Sequence, residues 1–239
     1  MLAFSQNTSY PYLYIKRRQK KVEETKKLSC IDCNVKKCNV KQNIENHKPY
    51  PGFCVSHNMD LKDRQMALDT YLGDEKDLKI MRASAEIEHD FYCQATRVEE
   101  TIRWAKKLGA KKIGIASCVG LLKESHLLAG LLREYGFEVY GVGCKIGEVP
   151  KTEVGIPERC EEVGVHMCNP ILQAQMLNKE KTDINIVMGL CVGHDSMFYK
   201  YAEGLTTTLV VKDRVLGHNP VAALYAADGY YHNKLCPQD

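Results

Sequence analysis

The chain has 239 residues, 44% of them hydrophobic and 26% charged, with a formal net charge of +3 at pH 7. This length and balance suit one medium globular domain, or one domain with a small appendage. Stretches free of formal charge, such as residues 113–122, 184–194 and 215–227, fall short of the roughly 18–20 apolar residues that span a bilayer.

Residues 1–27 read as a mobile basic extension. They carry a net +5, which leaves about −2 for the rest of the chain. A basic tail can touch nucleic acid or acidic lipid, but the body has no basic bias, which argues against nucleic-acid binding as the main function. The apolar residues of the tail precede its basic ones and are broken by Gln6, Asn7, Thr8 and Pro11, the reverse of a secretion signal. Eleven cysteines, an odd number, then point to reduced thiols that bind metal, react or pack, and to the cytoplasm.

Residues 28–59 are poor in hydrophobes and rich in Cys, Asn and Lys, so the segment cannot bury enough surface to fold unaided. Cys30-x2-Cys33-x4-Cys38, with Cys54 returning after the Pro51-Gly52 turn, gives four thiols that can face one ion. Four thiolates complete a tetrahedral zinc site or hold a [4Fe–4S] cluster; His47 and His57 are alternative ligands. The expectation is a small metal-stapled arm.

Residues 60–239 read as an α/β domain with N-terminal helices. Helices are expected over residues 60–72, closed by Gly73, and over 75–94. A third opens at Thr96, with Glu99 completing a capping box and Gly109 as terminator. From Lys111 short apolar runs alternate with helices. Strands are expected at 112–117 (KIGIAS), 137–143 (FEVYGVG), 163–167, 184–189 (INIVMG) and 206–211 (TTTLVV). Helices fall between them at 121–135, after Asn169-Pro170, at 194–203 and after Asn219-Pro220. The alternation implies right-handed crossovers and a doubly wound, mainly parallel five-stranded sheet.

Cys118, Cys144, Cys168 and Cys191 each follow one of these strands, the edge where open α/β sheets form their ligand crevice. Cys118 and Cys191 sit in glycine-bearing strand-to-helix turns, where a helix N-terminus lowers a thiol pKa. The expected reactive set is Cys118, Cys144 and Cys191, with Lys145 and His194 assisting. Lys212-Asp213-Arg214 reads as a solvated rim, and residues 145–160 as a connecting loop at the same edge. Gly189-Leu190-Cys191-Val192-Gly193 also resembles a nucleophile elbow with Cys for Ser, with Asp213 or Asp228 and His218 or His232 as triad partners.

The segments SCIDCNVKKCN, PGFC, RVEETIRWAKKLGAKKIGIASCVGLLKES, GFEVYGVGCKIG, CNPILQAQMLN, GLCVGHDSMFYKYAE and TTLVVKDRVLGHNPVAALY resemble one family from about Ser29 onward. It is the family numbered one-eight-four-seven in the domain-of-unknown-function series, often labelled metal-binding. The resemblance implies that Cys30, Cys33, Cys38 and Cys54 are a metal site, zinc before iron–sulfur, and implies no particular reaction. Three functions follow: a metal-binding protein with redox or sulfur-transfer chemistry at the strand-end thiols and a small-molecule or thiol partner; a non-catalytic zinc-stapled binding protein; and a thiol hydrolase using Cys191.

Overall fold

The computed structural model describes residues 27–39 and 49–236. The expected basic extension, apart from Lys27, and the alternative ligand His47 lie outside them.

Within the arm, a 3-10 turn at Cys30–Asp32 is closed by Ser29 and Asp32 as a capping box. The short helix α1 (Val55–Asn58) follows Cys54. No described residue between 27 and 59 is buried, as the scarcity of hydrophobes predicts. Helix α2 (Leu61–Gly73) starts on the Asp60 carboxylate, and α3 (Glu75–Asp90) starts on that of Asp74. Helix α4 (Arg97–Leu108) carries the expected Thr96–Glu99 capping box and ends at Gly109 in the left-handed conformation, φ 78°.

The sheet has four parallel strands: β1 (Lys112–Ser117), β2 (Glu138–Gly143), β3 (Ile184–Met188) and β4 (Leu205–Val210), in the order β2-β1-β3-β4. Helices α5 (Leu122–Glu134), α6 (Pro170–Lys179) and α7 (His194–Tyr201) connect them; α8 (Val221–Tyr225) and α9 (His232–Leu235) follow. Strand residues divide by alternation between two cores. Ile113, Ile115, Ile184, Ile186 and Met188 pack with Ile102 and Ala105 of α4 and with Leu128, Ala129 and Leu132 of α5. Ala116 and Val187 pack with Ala174 and Leu177 of α6 and Phe198 of α7. The central strands β1 and β3 are buried on both faces, which is why they read as continuous apolar runs.

The mixed α/β architecture and parallel sheet are as the alternation predicts, but four strands form the sheet among the described residues, not five. Residues 163–167 make only an isolated antiparallel bridge, Pro150 with His166, outside the sheet. Gly164 at φ 111° breaks the extended run, and Val163 and Val165 are exposed. The segment from Cys144 to Asn169 folds back on itself instead: Lys151 N donates to Val165 O (3.0 Å) and Met167 N to Val149 O (2.8 Å). Asn219-Pro220 opens only the five-residue α8, with no side-chain cap.

Two features bring the strand ends into register. Gln173 of α6 is fully buried, and its Nε2 donates to Ser117 O (3.1 Å) and Val142 O (2.7 Å), tying the ends of β1 and β2 together. Gly189 turns out of β3 at φ 66°, where a Cβ would stand 2.2 Å from Leu121 Cδ1. Only glycine permits both that conformation and that approach.

Candidate functional site

The strand order places β1 between β2 and β3, so the connection from β1 runs to one side and the next, from β2, crosses back over β1 to the other. The crevice outside the strand ends at such a reversal is where open α/β sheets bind ligands. Cys118 leaves β1, Cys144 leaves β2, and Cys191 follows β3 after Gly189 and Leu190. Cys168 reaches the same place from the folded-back segment, one residue before Asn169, whose side chain accepts from Leu172 N to start α6 (3.0 Å). Asn169 N also donates to Cys144 O at 2.7 Å, which fixes Cys168 against the end of β2.

Three of these thiols lie together. Cys168 Sγ lies 3.7 Å from Cys144 Sγ, and Cys144 shares a buried cluster with Cys118, each leaving one of the paired strands β1 and β2. Val119 N donates to Cys144 Sγ at 3.4 Å. Cys118 and Cys144 are buried, whereas Cys168 is half-exposed and is the thiol a solute meets first.

Their protonation states differ with their surroundings. The hydrogen bond to Cys144 pulls the Cys168 thiol down to about 4, helped by a hydrogen bond from His194 and the charges of Lys145 and His194. The hydrogen bond to Cys144 likewise pulls Cys118 down to about 5, helped by the Gly120 amide and by Lys212. Cys144 is driven the other way, because its thiol serves Cys118 first, then Cys168, and burial disfavours its thiolate. Cys144 is therefore the thiol held toward its protonated form, while Cys118 and Cys168 are drawn toward thiolate. His194 is pushed up, chiefly by its hydrogen bond to Cys168 and then by the charges of Cys168 and Asp195, against burial and Lys145. Its Nδ1 is buried with no hydrogen-bond partner.

Cations surround the thiols. Lys145 Nζ donates to His166 O (2.5 Å), which holds its charge beside Cys168. Arg214 Nη2 donates to Cys191 Sγ at 3.0 Å, and Arg214 is pushed up by Cys191 first, with weaker pulls from Cys118 and Cys168. The turn that carries Arg214 is built on Asp213, whose Oδ1 accepts from Val215 N (2.9 Å) and Leu216 N (2.8 Å).

The structure thus gathers Cys118, Cys144, Lys145, Cys191 and His194 at one edge, as their positions after strands predict. It adds three residues that the sequence left out of the reactive set: Cys168, Lys212 and Arg214. The Cys-Asn-Pro run was the available signal for Cys168, since it puts the thiol directly before a helix cap. Nothing in the sequence distinguishes Lys212 and Arg214 from a solvated rim.

The thiol-hydrolase arrangement finds no support. Cys191 is bonded to a guanidinium, and the His194 ring serves Cys168. His218 Nδ1 accepts from the Asp213 amide, and His232 lies 3.8 Å from Cys236. Asp195 is committed to backbone, accepting from Gly193 N (3.0 Å) and Ser196 N (2.8 Å).

In the arm, Cys30, Cys33, Cys38 and Cys54 all line one cavity of about 80 Å³, beneath Tyr50. His57 does not line that cavity; it stacks on Tyr50 with ring centroids 5.0 Å apart. Among the described residues, no three His, Cys, Asp or Glu side chains are placed to hold a metal ion. A larger cavity of about 350 Å³, lined by Ser84, Arg97, Trp104 and Thr207, shares no residue with either cysteine cluster. No described helix is long and apolar enough to cross a membrane.

A family model described as a protein of unknown function, DUF1847, matches residues 54–209. An uncharacterised protein of Methanocaldococcus jannaschii is 40% identical over 208 residues, which cover 87% of this chain and 98% of that protein.

Proposed function

We propose, from the premise that the chain belongs to the DUF1847 family, that its strand-end cysteines form a thiol-exchange centre acting in redox or sulfur-transfer chemistry. Cys168 is the nucleophile and Cys144 the thiol that resolves it. The observation that carries this reading is the 3.7 Å approach of buried Cys144 to a partly exposed Cys168.

The exchange uses a disulfide as oxidant. The Cys168 thiolate attacks one sulfur of the substrate disulfide, a mixed disulfide forms, and the first substrate thiolate leaves. Cys144 then loses its proton and attacks Cys168 Sγ, giving a Cys144–Cys168 disulfide as the second substrate thiolate departs. Two electrons pass to the substrate, and the Cys144 proton leaves on its thiol. The lowered Cys168 pKa supplies thiolate at neutral pH, and exchange rates scale with thiolate fraction. Sulfur transfer shares the first step: with a donor persulfide R–S–SH, the Cys168 thiolate attacks the outer sulfur, the donor S–S bond breaks, R–S− leaves, and Cys168 carries the persulfide. Lys145, Lys212 and Arg214 would draw an anionic substrate to the thiols.

The test is single turnover with a chromogenic aryl disulfide. The expected result is release of both arylthiols by wild type, no burst from Cys168→Ser, and release of only one from Cys144→Ser, with the other held as a mixed disulfide on Cys168. Release of both arylthiols by Cys144→Ser would overturn the assignment of Cys144.

A second reading concerns the arm. Four thiols on one cavity, in a segment with no buried residue among those described, support a structural metal, zinc or a [4Fe–4S] cluster, held by Cys30, Cys33, Cys38 and Cys54. An all-thiol donor set suits a thiophilic ion, and its binding would replace the missing core as the source of folding free energy. Such reduced thiols would fit a cytoplasmic location.

A further inference from the structure

Cys144 is the middle of three sulfurs, and the exchange proposed above uses only one of its neighbours. The other is close by construction. Strands β1 and β2 run parallel with Ser117 opposite Gly143, so the next residues, Cys118 and Cys144, leave the sheet side by side. Both sit in one buried cluster with Cys168 packed against it, and the amide of Val119, the residue after Cys118, donates to Cys144 Sγ at 3.4 Å. A thiol with two thiol neighbours can form a disulfide with either, and the two products interconvert with no outside reagent.

We infer that Cys118 is a third thiol of the same reaction, which takes the disulfide over from Cys168, so that the oxidised protein rests as a Cys118–Cys144 disulfide with Cys168 free. This rests on the reading of Cys168 and Cys144 as an exchange pair. The step balances within the protein. The Cys118 thiolate attacks Cys144 Sγ of the Cys144–Cys168 disulfide, the Cys118–Cys144 bond forms, and the Cys144–Cys168 bond breaks. The electron pair leaves on Cys168 as its thiolate. No oxidant, reductant or proton is consumed.

The surroundings set the direction. Once Cys144 is in a disulfide it carries no proton, so neither flanking sulfur has a hydrogen bond from it. Cys168 keeps the His194 imidazole and the Lys145 charge, at a half-exposed position. Cys118 keeps the Gly120 amide and Lys212, but is only 7% exposed. A free thiolate is less costly at the more solvated site, and exchange favours departure of the better-stabilised thiolate. The disulfide therefore moves inward and the anion outward. Lys212 is in place to hold Cys118 as the attacking thiolate: at Gly120, a Cβ would stand 3.9 Å from Cys118 Sγ and 3.7 Å from Lys212 Nζ. The consequence is a stored disulfide that solutes reach only through Cys168.

Disulfide mapping tests this on the full chain. Reduced protein is treated anaerobically with one equivalent of a small aryl disulfide, quenched in acid, capped with N-ethylmaleimide at low pH and mapped by peptide mass spectrometry. The expected majority product is Cys118–Cys144 with capped Cys168, and Cys118→Ser should give Cys144–Cys168 instead. A wild-type majority of Cys144–Cys168 with capped Cys118 overturns the inference and leaves the exchange pair intact. Absence of any disulfide among the three overturns the exchange reading, and the inference with it. The wild-type map decides the matter even if the variant fails to fold.

Discussion

Replacing His194 by alanine removes the cation that is hydrogen-bonded to Cys168. In the native chain Cys168 is pulled down to about 4. Opposite charges about 4 Å apart are worth about 1 kcal/mol in water and about 4 kcal/mol at an effective dielectric of 20. Cys168 is half-exposed, so solvent screening sets the pair near the lower end, about 1–2 kcal/mol, or about one pK unit. Losing a cation raises a depressed thiol pKa, so the inflection of reactivity must move up, from about pH 4 to about pH 5. At about pH 5 the native thiol is roughly nine-tenths ionised and the variant roughly half. The assay is iodoacetamide labelling of each cysteine, followed by peptide mass spectrometry, from about pH 3.5 to about pH 8. An unchanged Cys168 inflection, or one that moves down, would refute the argument that the imidazole holds this thiolate.

Acid should destabilise the fold through the same thiols. The folded Cys118 and Cys168 values lie below the ordinary 9.0, so their contribution is present above that value and is lost as pH falls through about 5 and about 4. His194, raised above 6.5, contributes fully below that value, so it adds no slope between about pH 6 and about pH 4. Wild type should lose more Tm over that window than Cys168→Ser in calorimetry; an equal loss would count against the thiolate. Gln173→Ala leaves the Ser117 and Val142 carbonyls without their buried donor and opens a cavity, at a cost of about 2–4 kcal/mol by urea denaturation. At Gly114 a Cβ would stand 2.3 Å from Asn185 Oδ1 inside the sheet, so Gly114→Ala should cost about 1–3 kcal/mol, and a neutral result would mean that β1 and β3 yield there. If the arm holds a metal, removing it with a strong chelator should expose residues 28–59 to protease while α4 to α7 stay protected. Cleavage unchanged by chelation would argue against the staple.

Much of the fold was legible because its signals are local. The Thr96–Glu99 box, Gly109, the Asn169-Pro170 cap and the apolar runs of β1 and β3 each state their structure within a few residues. The run at 163–167 misled for the same reason. Short apolar alternation is compatible with a strand, and only the missing partner and the turn at Gly164 remove it from the sheet.

The candidate site divides along the same line. By itself the sequence determined that cysteines follow β1, β2 and β3, because strand ends can be read from periodicity, and that four more crowd an arm without a core. Strand order is not written in periodicity, so only the tertiary structure decided which thiols meet. It set β2 beside β1, folded Cys168 back onto Cys144, and turned Arg214 and Lys212 over the edge from β4. The pKa of a thiol depends on charges and burial within a few ångströms, most of them distant in sequence. Hence the chain could announce reactive cysteines, while which of them is drawn toward thiolate and which is held protonated belongs to the fold.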